Sequence, residues 1–177
     1  MKSTTLAVLA AVLGPVVWAQ QFKFNLDHLA SKASDSVDIN LNGSMLQFAA
    51  KFLDGKDPDE AKVKQLLSGI EGIYVKNFEF KKEGEYSPTD LEQIRSQLKG
   101  PEWNRIVGVR SNSEGENVEV WTRVANGKTN GIAILAAEPK ELTVVNLVGT
   151  IDLDALAALG GHFGIPKVEP STPKKRE

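Results

Sequence analysis

The stretch Gly131–Gly149, GIAILAAEPKELTVVNLVG, consists of two strand-length apolar runs joined by the polar turn Glu138-Pro139-Lys140-Glu141. Pro139 pre-sets the backbone angle of a turn's second position and removes an amide donor that would need a partner. The pattern predicts a β-hairpin with no solvent side. Ile132, Ile134 and Ala136 point one way and Ala133, Leu135 and Ala137 the other, while Val144 and Val148 oppose Val145 and Leu147. A hairpin that is apolar on both faces belongs at the heart of a sheet, with cover on each side.

Upstream, Val118, Val120, Thr122 and Val124 share one face of a strand, with Glu119, Trp121 and Arg123 on the other. Asn126-Gly127 then joins this strand to the hairpin, because both residues tolerate the left-handed angles of a type I′ turn. Trp103–Ser111 is the strand before it, so the region from Trp103 to Gly149 reads as a four-stranded antiparallel meander. Ile70–Phe80, rich in aromatic and β-branched residues, is another strand, and Val37–Leu41 alternates as a short half-buried one.

Helix ends are written into the rest of the chain. Asp57-Pro58-Asp59-Glu60 and Ser87-Pro88-Thr89-Asp90 are N-terminal capping sequences, closed by Gly69 and by Gly100-Pro101. Ser44–Leu53 places Met45, Phe48, Ala49, Phe52 and Leu53 on one stripe, expected to be buried. Leu26, Leu29, Ala30 and Ala33 mark a short opening helix behind an Asn25 cap, and Asp152–Leu159 a brief closing one. The expected fold is α+β: a largely antiparallel sheet of about five strands with helices packed mainly on one face. The route from the 70–80 strand through the 88–99 helix leaves a mixed sheet as the alternative.

The 177 residues, 41% hydrophobic and 25% charged, suit one domain. Residues 1–19 read as a signal peptide: Lys2, an apolar run from Leu6 to Val17, and the small-residue site Val17-Trp18-Ala19. The run is shorter than the roughly 20 residues that span a bilayer, so no stable membrane insertion is expected after cleavage. A single domain over residues 20–165 and a disordered tail over 166–177, carrying Lys174-Lys175-Arg176, complete the organisation. A formal charge of −2 argues against nucleic-acid partners. The absence of cysteine excludes disulfides, thiolate metal sites, a thiol nucleophile and lipid attachment through cysteine.

The order of residues then resembles a family. Gly69-Ile70-Glu71-Gly72-Ile73-Tyr74-Val75, Phe78-Glu79-Phe80, Tyr86-Ser87-Pro88-Thr89-Asp90-Leu91, Trp103, Val107 with Val109-Arg110, and Ala136-Ala137-Glu138-Pro139-Lys140-Glu141-Leu142-Thr143-Val144-Val145-Asn146 resemble the exported bacterial family called domain of unknown function 4252. The likeness covers about residues 24–166 and implies an envelope protein, with a weak link to envelope sensing. Many relatives carry a lipoprotein leader; this chain has no cysteine for the lipid, so a periplasmic or secreted form is expected. The resemblance supplies no catalytic residue.

Three classes of function are open to such a chain. The first is a non-catalytic interaction module for an envelope protein or another macromolecule, using Trp103, Arg105, Arg110, Trp121 and Arg123, since Trp and Arg dominate binding hot spots. The second is a small-ligand binder with an apolar pocket lined by Phe48, Phe52, Tyr74 and Phe78. The third is an enzyme, the least favoured. His28 and His162 are the two histidines, and no nucleophile-elbow, zinc or phosphate-loop motif occurs, which leaves a carboxylate pair involving Glu138. No cofactor or metal is expected; His28 reads as a boundary histidine, and Asp57, Asp59, Glu60, Asp90 and Asp152 as capping acids. The hairpin's second face is expected either to be roofed by terminal helices or to stand open as an apolar docking surface.

Overall fold

A computed structural model of the chain describes residues 25–152. The expected leader, residues 153–159 of the expected closing helix, His162 and the expected tail lie outside them. The elements run α1 (Asp27–Ala30), β1 (Asp35–Asn42), α2 (Gly43–Ala50), α3 (Pro58–Gly69), β2 (Ile70–Glu79), α4 (Pro88–Gln97), β3 (Trp103–Ser111), β4 (Glu116–Ala125), β5 (Lys128–Glu138) and β6 (Glu141–Gly149). They form an α+β fold around one six-stranded sheet of order β1-β2-β6-β5-β4-β3.

Every pairing is antiparallel. The mixed-sheet alternative is corrected by the order: β6, β5 and β4 separate β2 from β3, so the α4 crossover never sets those two strands side by side. The sheet has six strands, not about five; the strand expected at Val37–Leu41 is its edge, β1, and is mostly exposed instead of half-buried. The Gly131–Gly149 hairpin is β5 and β6, the two strands nearest the centre, and Pro139-Lys140 turn between the paired Glu138 and Glu141. Asn126 and Gly127 have φ of 53° and 72°, as a type I′ turn requires.

The helices divide between the two faces instead of gathering on one. On the first, Leu26, Leu29, Ile94 and Leu98 pack with Phe78, Ala133, Leu135, Ala137, Leu142 and Val144. On the second, Leu46 of α2 and Leu66 of α3 pack with Ile70, Ile132 and Ile151. These will be called the α4 face and the α3 face. A hairpin apolar on both sides needs both layers, which is why one-sided cover fails as a description.

Local capping agrees with the sequence, with three corrections. Asp57 Oδ1 accepts from the amides of Asp59 (2.8 Å) and Glu60 (3.3 Å), but Glu60 turns to the Asp54 amide instead of closing a box on Asp57. α1 begins after Leu26 with no side-chain cap, so Asn25 does not serve. α2 is capped by Asn42 and buries Leu46 and Ala50, leaving Met45, Phe48 and Phe52 outside. Its rotation away from the expected stripe results from the seat of Leu46 in the α3-face core.

Candidate functional site

The pairing registers line side chains up in rows across the sheet, and each row lies on one face because neighbouring residues alternate. On the α3 face one row reads Ile39, Val75, Val145, Ile134, Val120, Val107, crossing all six strands. Every member is β-branched and aliphatic, and none is fully buried. The next row reads Val37, Asn77, Thr143, Ala136, Val118, Val109. Val37 and Val109 are 46% and 51% exposed at its ends. Neither row contains a charged side chain.

The helices α2 and α3 cover the far end of this face, over the row Leu41, Ile73, Leu147, Ile132, and the core beneath them reaches Val120 and Ile134 of the next row. The two rows beyond the Leu41 row, aliphatic but for Asn77 and Thr143, form a band about 24 Å wide, taking strands about 4.8 Å apart. Beside it, Phe48 of α2 and Phe52, just past the helix end, meet edge to face with ring centres 5.1 Å apart, both in solvent.

An acidic row closes the band at its other end. Asp35 pairs with Glu79, Glu79 with Glu141, and Glu141 with Glu138. Glu116 of β4 comes next, close enough to act on Glu138: burial first, then the charges of Glu141 and Glu116, raise the Glu138 pKa. Asn77 Nδ2 donates to Glu141 Oε1 at 2.6 Å and to Thr143 Oγ1 at 2.9 Å, tying the two rows together. A carboxylate whose pKa is raised by folding stabilises the fold below the ordinary carboxylate range and loses that contribution as the pH rises through its folded pKa. Glu138→Gln is thus expected to raise stability at neutral pH, with the gain fading in acid and at high salt, as urea unfolding across pH will read.

The sequence-derived candidates fall elsewhere. Trp103, Arg105, Trp121 and Arg123 do come together, on the α4 face, with Trp103 and Arg123 buried, Trp121 half-buried and Arg105 exposed. Trp103 and Arg123 are 8% and 7% exposed, with the Arg123 guanidinium 5.8 Å from the Trp103 ring centre and its Nε donating to Asn130 Oδ1 at 2.9 Å. Arg105 sits 5.7 Å from the Trp121 ring, and Arg95 of α4 donates to the buried Glu119 at 2.8 Å. Arg110 is exposed on the edge strand β3, apart from this group. Gly131 lies beneath the group, where an added Cβ would stand 3.3 Å from the Trp103 ring.

The pocket expected from Phe48, Phe52, Tyr74 and Phe78 does not form. Phe48 and Phe52 are 62% and 75% exposed beside the α3 face, whereas Phe78 is 3% exposed in the α4-face core. Tyr74 stands in the α4-face row with Asn146 and Ala133. Period-two alternation separates Phe78 from Val75 and Asn77, a distinction that aromatic content alone hides.

One contact went unforeseen: His28 Nε2 lies 3.0 Å from Asp90 Oδ1. Asp90 also accepts from the Ser87 amide and hydroxyl, both 2.8 Å, completing the capping box. Burial would raise the Asp90 pKa, but the hydrogen bonds from Ser87 and the neighbouring His28 outweigh it and hold the carboxyl below its usual range. The carboxylate lies between the hydroxyl and the imidazole, so the trio staples α1 to α4 and provides no general base at Ser87. A depressed carboxylate contributes fully above its unfolded pKa and loses this as pH falls through the folded value. Ser87→Ala is expected to cost about 1 kcal/mol at neutral pH, and to weaken the acid-side loss, by urea titration at neutral and acid pH.

Among the described residues no group of three or more His, Asp or Glu side chains is placed to hold a metal ion, and no helix is long and apolar enough to cross a membrane. Neither the curated proteins nor the solved structures gave a match. The family described as Domain of unknown function (DUF4252) matches residues 30–159, well over half of the chain and the whole sheet from the β1 edge onward. The chain belongs to this family of domains of unknown function.

Proposed function

We propose that this is an exported, non-catalytic envelope protein, periplasmic or secreted, that binds a protein partner through the open half of the α3 face. The observation that carries the reading is the six-strand row from Ile39 to Val107, aliphatic throughout and nowhere fully buried. Its two sides dictate the partner's chemistry: an uncharged, branched surface selects an apolar segment, and the Asp35, Glu79, Glu141, Glu138, Glu116 border selects a cationic flank. Export rests on the Lys2, Leu6–Val17, Ala19 leader pattern.

Val37→Glu combined with Val109→Glu tests the reading. Both side chains are about half exposed on edge strands, so the variant is expected to keep its unfolding midpoint while losing envelope partners recovered by crosslinking at least tenfold, equivalent to about 1.4 kcal/mol. A folded double variant that retains the same partners would place binding elsewhere.

A further inference from the structure

The chain itself supplies a segment with the chemistry that the open face selects. Ile151 is 4% exposed in the α3-face core with Leu46, Leu66, Ile70 and Ile132, and its amide donates to the Thr129 carbonyl at 2.9 Å. The last described residue, Asp152, therefore lies beside α3, at the covered end of the face that carries the aliphatic row. At the other end of the described chain, Leu26 and Leu29 lie in the core of the opposite face, so the two ends depart from opposite sides of the sheet. Beyond Asp152 the chain continues as Leu153-Asp154-Ala155-Leu156-Ala157-Ala158-Leu159, then Gly160-Gly161 and, further on, Lys174-Lys175-Arg176.

We infer that residues 153–176 dock in cis on the open half of the α3 face, with Leu153, Leu156 and Leu159 against the aliphatic row from Ile39 to Val107 and its neighbour, and Lys174-Lys175-Arg176 toward the acidic row. The inference rests on the chemistry read for this face above, and names an occupant the chain carries with it. Lengths agree with it. From the Ile132 row to the Glu138 row is six residues of strand, about 20 Å, and the open rows occupy the latter part of that span. The seven residues Leu153–Leu159, apolar but for Asp154, cover about 10 Å as helix and about 23 Å extended, and the residues from Gly160 to Thr172 are more than enough to carry the basic run to the border. Charge also matches: the border is Asp35, Glu79, Glu116, Glu138 and Glu141, and Lys174-Lys175-Arg176 is complementary to it. Tethering supplies an effective concentration in the millimolar range, so a weak segment suffices to occupy the face, and a partner of the same chemistry binds by displacing it.

The absence of cysteine makes the test clean. In the full chain recovered after export, Val109→Cys and Arg110→Cys are compared for maleimide labelling; the two are neighbours on β3 that point to the α3 and α4 faces. Docking predicts that position 109 labels about tenfold slower than position 110, and that Leu153→Asp with Leu156→Asp and Leu159→Asp abolishes the difference. Lys174→Glu with Lys175→Glu and Arg176→Glu is expected to remove part of the protection, and high salt to do the same. A second arm that does not perturb the tail's charges is the cysteine pair Val145→Cys and Leu156→Cys, which is expected to oxidise to an intramolecular disulfide in the monomer. Equal labelling at 109 and 110 with no intramolecular disulfide overturns the inference. Protection that grows with protein concentration overturns it in favour of a second copy, and protection that needs added phospholipid vesicles in favour of a membrane surface. Labelling of the purified chain reads the tail alone and partner capture in the envelope reads the partner, so either claim fails without the other.

Discussion

Glu119→Ala is expected to destabilise the domain by about 3 kcal/mol, the lower end of what breaking a buried ion pair costs. Glu119 is 4% exposed at the centre of the α4 face and is held by Arg95 through Nε at 2.8 Å and Nη2 at 2.6 Å, with Arg105 Nη1 at 4.0 Å. Removing the carboxylate leaves the Arg95 guanidinium without its counter-charge under α4. The cost falls at the lower end because the Arg95 side chain keeps 24% of its surface and regains some hydration. Guanidinium unfolding will read the loss. The companion variant Arg95→Met with Glu119→Leu is expected to recover most of it, since replacing a whole buried pair by apolar groups is often neutral or better. If the single and double variants are equally unstable, the pair is not what holds α4 to β4.

Asn146→Val is expected to act in the opposite direction, raising stability by about 1–3 kcal/mol. Asn146 is 1% exposed on the central strand β6, between Tyr74 and Ala133 in its row, and neither its Nδ2 nor its Oδ1 has a hydrogen-bond partner. Trp121 Nε1, two strands away in the same row, is likewise buried without one. A buried amide with unmet hydrogen bonds costs its full desolvation, whereas valine restores apolar contact and suits a strand. The urea midpoint is the readout; a fall on substitution would mean that the amide is paired in solution.

Much of the architecture was legible because the signals were local. Asn126-Gly127, Pro139-Lys140, Asp57-Pro58 and Ser87-Pro88 each fix a turn or a helix start by the backbone angles or side-chain acceptors of a few adjacent residues. The two-sided apolar pattern of β5 and β6 correctly demanded a central position in the sheet. The division of helices between faces was not legible, because a stripe such as Leu91, Ile94 and Leu98 announces that it will be buried without saying where. The α2 stripe misled for a related reason: Met45, Phe48 and Phe52 have the right spacing, but Leu46 and Ala50 make the contact.

The site was legible only in outline. Trp and Arg residues stand out by composition, yet four of the five pair with one another in ring and guanidinium contacts, two of them buried. The aliphatic row escaped notice because its six members come from six strands and each looks like ordinary core. Only the registers bring Ile39, Val75, Val145, Ile134, Val120 and Val107 into one line. The acidic border was hidden in the same way, since Asp35, Glu79, Glu116, Glu138 and Glu141 are strand ends and turn residues that read singly as solvated charges.

The claim that the α3 face is the working surface meets its most direct test in site-specific photocrosslinking in the native envelope. A photoreactive residue is placed in turn at Val109 and at Arg110, adjacent positions of one exposed strand that point to opposite faces. The account predicts a discrete higher-mass adduct from position 109 and none from position 110. Adducts from 110 alone, or none from either in chain that is folded and exported, would contradict it.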